Sequence, residues 1–271
     1  MTSIASKLPV GFDQVAFLLD VDGTLLDLAP TPREVRVPPG LRETLSRLWQ
    51  RSGGAVAFVS GRQIDELDLI FSPLQLPAVG GHGAELRPVA DGEISKYAQL
   101  APLDPRIKRS FATIAEIGQG IILEDKEYSL AIHYRLAPDK GRAVLQAATA
   151  LLADMSDCPI ELLPGKFLIE VKQVGFDKAT GVRELMKFAP FTGRRPILLG
   201  DDITDESMFR VAPEYDGVAI SVGARLSGVS HHFDEPMTVR RWLMELSHLK
   251  EPASISDSIC PPSIEPQYIP S

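Results

Sequence analysis

The chain has 271 residues, of which 44% are hydrophobic and 24% charged, with a formal net charge of -8. That length supports a sizeable core and two domains, and the acidic balance argues against nucleic acid or an anionic membrane as the main partner. The two cysteines, Cys158 and Cys260, give no disulfide framework, and no apolar run approaches the roughly 20 residues of a membrane span. Residues 1–14 lack the apolar core of a signal peptide, so a cytoplasmic protein is expected.

The first element is the run Ala16-Phe17-Leu18-Leu19, which ends in Asp20-Val21-Asp22-Gly23-Thr24-Leu25. A short continuous apolar run of this kind suits a buried parallel strand. Ligands of open α/β sheets sit at the carboxyl ends of the strands, so Asp20 and Asp22 are expected at the mouth of a cleft. Two close carboxylates repel unless a cation or a shared proton relieves them. Mg²⁺ is the usual hard cation there, and an Asp beside it can attack phosphorus to give an aspartyl-phosphate. An EF-hand fits poorly, because Gly23 is fourth rather than sixth in the loop and follows a strand. The metal-binding Asp-x-Asp of a glycosyltransferase is the fairer rival.

Pro38-Pro39-Gly40 opens a helix carrying Leu41, Leu45, Leu48 and Trp49, and Gly53-Gly54 ends it. A second buried strand over 55–59 ends at Ser60-Gly61-Arg62. A short helix over 64–70 follows, and then 77–79 leads into the glycine-rich turn Gly80-Gly81-His82-Gly83-Ala84-Glu85. This alternation predicts an α/β fold with a doubly wound parallel sheet. The middle differs: a helix over 107–117, a strand over 129–134, an Ala-rich helix over 141–155 and a strand over 167–171. It predicts an inserted α+β cap at 104–171, between core halves 1–103 and 172–250. The first pattern then resumes with a helix over 178–188 and a strand over 196–199 ending at Gly200-Asp201-Asp202. A helix over 205–211, a strand over 217–222 and an amphipathic helix over 239–249 complete it. Residues 251–271 are rich in Pro and Ser and are expected to form a disordered tail.

Four strand-end groups therefore fall at one edge of the sheet: Asp20 with Asp22, Ser60 with Arg62, Lys178, and Asp201 with Asp205. Each has an ordinary explanation alone: a turn, a loop, a solvated lysine or a helix N-cap with acidic first-turn residues. Chance rarely supplies all four in this order.

The set resembles the four motifs of the haloacid-dehalogenase-type phosphatases. More closely, it resembles the trehalose-6-phosphate phosphatases, through Gly200-Asp201-Asp202-Ile203-Thr204-Asp205-Glu206, the two early loops, and the cap stretches His133-Tyr134-Arg135 and Gly165-Lys166-Phe167-Leu168-Ile169-Glu170. The likeness spans most of residues 15–245. Gly80 stands where many members carry a larger residue and Ala179 where Gly is usual; neither removes a chemical group. The resemblance implies a Rossmann-like core and hydrolysis of trehalose 6-phosphate. Asp20 is then the nucleophile and Asp22 the acid/base, with Mg²⁺ held by Asp20, Asp201 and the backbone carbonyl of Asp22. Ser60 and Lys178 donate to the phosphoryl oxygens, and Asp202 and Asp205 support them, Asp205 as a partner of Lys178. Arg62, His82, Gly83 and Glu85 from the core, and Arg135, Lys166 and Glu170 from the cap, are candidates for the sugar. Strand alternation puts Lys166, Leu168 and Glu170 on one face.

The nearest competing substrates are those of sucrose-phosphate and mannosyl-glycerate-phosphate phosphatases. A glycosyltransferase would not need Lys178 or the 200–206 loop, and intact Asp20, Asp22, Lys178 and Asp201 argue against a catalytically dead sugar-phosphate sensor. The expected partner is a small sugar phosphate, with neither nucleic acid nor membrane, and a monomer is the working assumption.

Overall fold

The computed structural model describes residues 11–96 and 100–249; the tail expected at 251–271 lies outside them. Chain order in the first half of the core is β1 (Val15–Leu19), α1 (Leu41–Arg51), β2 (Val56–Val59), α2 (Ile64–Phe71), β3 (Ala78–Gly80), β4 (Glu85–Arg87) and β5 (Ser95–Lys96). The second module contains α3 (Pro105–Ala112), β6 (Ile122–Asp125), β7 (Ser129–His133), α4 (Gly141–Asp154), β8 (Ile160–Gly165) and β9 (Leu168–Gln173). The core resumes with α5 (Lys178–Leu185), β10 (Arg195–Gly200), α6 (Glu206–Phe209), β11 (Val218–Val222), β12 (His231–Phe233) and α7 (Pro236–His248).

The large sheet has the order β12-β11-β10-β1-β2-β3-β4-β5. Its first six strands are parallel, and β4 and β5 add an antiparallel edge. The expected α/β class with a parallel sheet is therefore observed. The antiparallel edge was not legible, because β4 grows out of the glycine-rich turn and β5 is a two-residue exposed strand. All five residues of β1 are buried, which explains the absence of polar alternation. Phe17 and Leu19 pack with Leu45 and Leu48 of α1 and Leu243 of α7, while Ala16 and Leu18 pack with Val182 and Leu185 of α5 and Phe209 of α6. Truncating a residue such as Leu18 to Ala would cost about 2–5 kcal/mol.

The second sheet is antiparallel, in the order β6-β7-β9-β8. Ile132, Ile169 and Val171 pack against Phe111 of α3 and Val144 of α4. One face is thus covered by helices and the opposite face turns to the core. β6 and β8 were not anticipated. They are half-exposed edge strands with charged residues interspersed, so their period is weak. β9 continues to Gln173, two residues beyond the expected module end. The helix expected over 107–117 divides at Ala112, where a 3₁₀ turn, Thr113–Ile117, takes over. Among the described residues, no helix is long and apolar enough to cross a membrane.

Candidate active site

Parallel strands bring their carboxyl ends to one edge, and the four groups meet there. Asp20 follows β1, Ser60 follows β2 and Asp201 follows β10; all three are buried. Lys178 opens α5, whose N-cap Asp177 accepts from the Thr180 N–H at 2.8 Å. The Lys178 ammonium donates to Asp20 Oδ1 at 2.7 Å and to Asp205 Oδ1 at 2.5 Å. Asp205 Oδ2 in turn accepts the backbone N–H groups of Asp201 and Asp202, both at 3.0 Å. Asp205 therefore ties the loop after β10 to Lys178.

One oxygen from each of Asp20, Asp201 and Asp205 lies within 4.8 Å of the others. Burial and the neighbouring Asp205 push the Asp20 carboxyl up to about 7, against the opposing pull of Lys178. Burial, with Asp20 and Asp205 close by, pushes Asp201 up to about 9. For Lys178, burial alone would lower the ammonium, but Asp20 and Asp205 hold it above its ordinary value. Carboxylates packed this way lack positive charge. Asp205 spends both oxygens on Lys178 and the loop backbone, whereas Asp20 Oδ2 is buried without a hydrogen-bond partner. Among the described residues, Asp201 has only Lys166 Nζ, at 3.5 Å, as a side-chain donor to its Oδ2. Asp20 and Asp201 are thus the two carboxylates with oxygens to spare for a divalent cation, and their hard oxygen donors suit one such as Mg²⁺. Gly23 makes the cluster sterically possible: its φ is +84°, and a Cβ there would stand 2.1 Å from Asp201 Oδ2.

Asp22 is half-buried and gripped by Arg62, with Nε to Oδ2 at 2.5 Å and Nη2 to Oδ1 at 2.9 Å. Arg62 also reaches Glu66 and, at 3.1 Å, the Pro32 carbonyl. Ser60 Oγ accepts from the Arg62 N–H at 3.1 Å. From the cap, Glu170 is buried and its Oε2 lies 3.0 Å from His82 Nε2, while Ser129 Oγ donates to its Oε1 at 2.5 Å. Burial alone would raise Glu170, but Lys126 and His82 hold it well below the usual carboxylate range. Arg135 donates to the core carbonyl of Ala29.

These groups line one cleft between core and cap. Asp20, Asp22, Ser60, Arg62, His82, Arg135, Lys166, Glu170, Lys178, Asp201, Asp202 and Asp205 all reach it. Gly83 and Glu85 do not line it. Glu85 Oε2 instead accepts from the Ile64 N–H at 2.8 Å, at the start of α2, and Gly83 packs against the Asp177 carbonyl, where a Cβ would come within 2.1 Å. Both act on helix starts, and one of these helices carries Lys178. Lys166 is not on a strand face with Leu168 and Glu170; it occupies the turn between β8 and β9, where Phe167 has φ +62°. Leu168 and Glu170 do share the cleft face. Sequence reasoning missed Glu124 and Lys126, and quoted His133 in a cap motif without giving it a role; all three line the cleft. Lys126 donates to the Gly61 carbonyl at 3.2 Å, and His133 Nε2 pairs with Glu124 Oε2 at 2.8 Å. The available signal was their place in a β-hairpin, but an Asp-Lys-Glu turn is more often solvent-exposed.

The trehalose-phosphatase family model matches residues 18–240. A probable trehalose-phosphate phosphatase from Sinorhizobium fredii is 41% identical over 219 residues, covering 80% of this chain and 81% of its own length. The trehalose-6-phosphate phosphatase of Escherichia coli is 32% identical over 247 residues and 90% of each chain. Among solved structures, the C-terminal domain of Candida albicans trehalose-6-phosphate phosphatase superposes with a TM-score of 0.79 at 23% identity, over 87% of this chain and 93% of that one. That likeness speaks to the fold.

Proposed function

The chain belongs to the trehalose-phosphatase family, and from that premise we propose that it hydrolyses trehalose 6-phosphate to trehalose and phosphate through an aspartyl-phosphate on Asp20, with Mg²⁺ as cofactor. The observation that carries this reading is the buried Asp20–Lys178–Asp205 chain with an unpartnered Asp20 oxygen, set beneath a cap whose polar residues face the same cleft.

In the first step a carboxylate oxygen of Asp20 attacks phosphorus, and the bond from phosphorus to the sugar oxygen breaks with its electron pair on the sugar. Asp22 gives that oxygen a proton. In the second step Asp22 takes a proton from water as the water attacks the phosphoryl group, releasing phosphate and restoring Asp20. Arg62 holds both Asp22 oxygens in the described state, so the acid step requires that this pair loosen once the sugar enters, with Glu66 still there to hold Arg62. Lys178 fixes Asp20 Oδ1 and, with Ser60, offers donors to the phosphoryl oxygens. Asp20, Asp201 and, by resemblance, the Asp22 carbonyl would hold Mg²⁺. Bound there, it would neutralise the carboxylate cluster and the phosphate charge.

The test is phosphate release from a panel of sugar phosphates, trehalose 6-phosphate, sucrose 6-phosphate and mannosyl-glycerate phosphate among them, before and after EDTA and with Mg²⁺ restored. Trehalose 6-phosphate is expected to be the best substrate, with activity lost on chelation and regained with Mg²⁺. Preference for another sugar phosphate would overturn the substrate, and full activity in metal-free enzyme would overturn the cofactor.

A further inference from the structure

Asp202 faces two ways. Its Oδ1 accepts from the Ile203 N–H at 2.7 Å, capping the short turn that leads to Asp205. Its Oδ2 accepts from the backbone N–H of Lys166 at 2.6 Å, across 36 residues of sequence and from core to cap. Gly165 packs on the same oxygen: a Cβ there would come within 2.9 Å of it. The other side of the Lys166 residue is also held, because its carbonyl accepts from Arg135 Nη2 at 3.4 Å while Arg135 Nη1 reaches Ala29 of the core. The Lys166 side chain then lies 3.5 Å from Asp201 Oδ2. Thus the backbone of one cap turn is seized by the loop that carries Asp201, and the lysine of that turn overhangs the carboxylate cluster.

We propose that Asp202 is a positioning residue that latches the cap turn 165–167 onto the acidic loop and so sets where Lys166 stands over the bound substrate. The latch rests on the sugar-phosphatase reading given above. Its physics is that of a carboxylate with two donors on different bodies. The Ile203 N–H is supplied by the same loop whatever the cap does. The Lys166 N–H is supplied only when the cap is down, and a charge-assisted bond of this length is among the stronger hydrogen bonds of a protein. Closure therefore completes the hydrogen bonding of Asp202, and Gly165 is the residue that permits so close an approach. Because Asp201 and Asp202 are adjacent, the loop that meets the phosphate also holds the lid. Substrates large enough to need the cap should feel the latch more than those that do not.

Two variants approach the contact from opposite sides. In Asp202→Ser the hydroxyl can still cap Ile203 but is too short to accept from Lys166. Gly165→Ala leaves Asp202 intact and forces the turn away. With the full-length, Mg²⁺-supplied protein, each should lower kcat/KM for trehalose 6-phosphate about ten-fold. That loss should be at least about five-fold greater than the loss for p-nitrophenyl phosphate, and the double variant should be little worse than either single one, because both remove one contact. Hydrogen exchange without substrate reads the latch independently: the Lys166 amide should be protected in the wild type and exchange faster in both variants. Equal losses on the two substrates would reduce Asp202 to a support of the acidic loop, and unchanged Lys166 exchange would overturn the latch outright. If exchange behaves as expected while the wild type ignores trehalose 6-phosphate, the substrate reading fails and the latch stands.

Discussion

The two sheets of this molecule meet the same cleft with opposite chemistry. The central strands β1, β2 and β10 of the core sheet are buried almost throughout, so polar groups emerge there only where the strands stop, and Asp20, Ser60 and Asp201 do so at adjacent strand ends. The cap sheet is packed by helices on one face, and its other face supplies polar side chains along the strands themselves: Ser129 and His133 on β7, Glu170 on β9 and Glu124 on β6. A strand end concentrates charge at a point, which suits an attack on one phosphorus atom. A strand face spreads donors and acceptors over an area, which suits a polyhydroxylated sugar. The division predicts that variants of the core groups that meet phosphorus fail on every phosphate ester, and cap variants chiefly on large ones.

The sharpest break of that contrast would come from Asp20→Asn. An amide cannot form the acyl phosphate, so turnover should fall on the order of 10⁴-fold or more for sugar and aryl phosphates alike, with circular dichroism unchanged. Appreciable turnover by the folded variant would remove Asp20 as nucleophile. Asp22→Asn should separate the two substrate classes from the core side. A sugar oxygen needs a proton to leave and a nitrophenolate does not, so the loss should be about 10²- to 10⁴-fold on trehalose 6-phosphate and much smaller in the phosphorylation step with p-nitrophenyl phosphate. Equal burst-rate losses on both would count against the acid role.

Glu170→Gln tests whether the seam between the two regions is held by charge. Glu170 is buried between Lys126, His82 and Ser129, and removing its charge should cost about 1.5–3 kcal/mol at pH 7 by denaturant unfolding. Its carboxyl is lowered from the ordinary 4.5 by Lys126 and His82 against the cost of burial. A lowered acid stabilises above its unfolded value and loses that contribution as pH falls through its folded value. The gap between wild type and variant should therefore be full above pH 4.5 and shrink only at more acidic pH. A gap that widens on acidification would refute the ion-pair account. The smallest effect expected is that of Arg135→Ala, which removes one bridge from the cap to the Ala29 carbonyl. It should lower kcat/KM for trehalose 6-phosphate about ten-fold and p-nitrophenyl phosphate hydrolysis far less. A general loss on both would place Arg135 with the core rather than the cap.

The sequence by itself determined the core and its chemical edge. Continuous apolar runs such as Ala16–Leu19 can be satisfied only by burial on both sides, and the rule that ligands meet the carboxyl ends of parallel strands then puts Asp20, Ser60 and Asp201 together without further information. Lys178 and Asp205 were legible for the same reason, since each stands within a few residues of a strand end or a helix start. Tertiary structure alone decided which side chains spend their hydrogen bonds on one another. Glu85 looked like a sugar ligand by position and became the acceptor for the Ile64 N–H, because β4 folds back antiparallel beside β3. Lys166 looked like a strand residue and became the summit of a tight turn because β8 and β9 form a hairpin joined by residues 166 and 167. Lys126 drew no notice in the sequence and is a bridge to Gly61 and Glu170 because the cap lies against the core. Each of these outcomes depends on a partner more than twenty residues away or on the pairing of two strands, and periodicity reports only what a residue's immediate neighbours need.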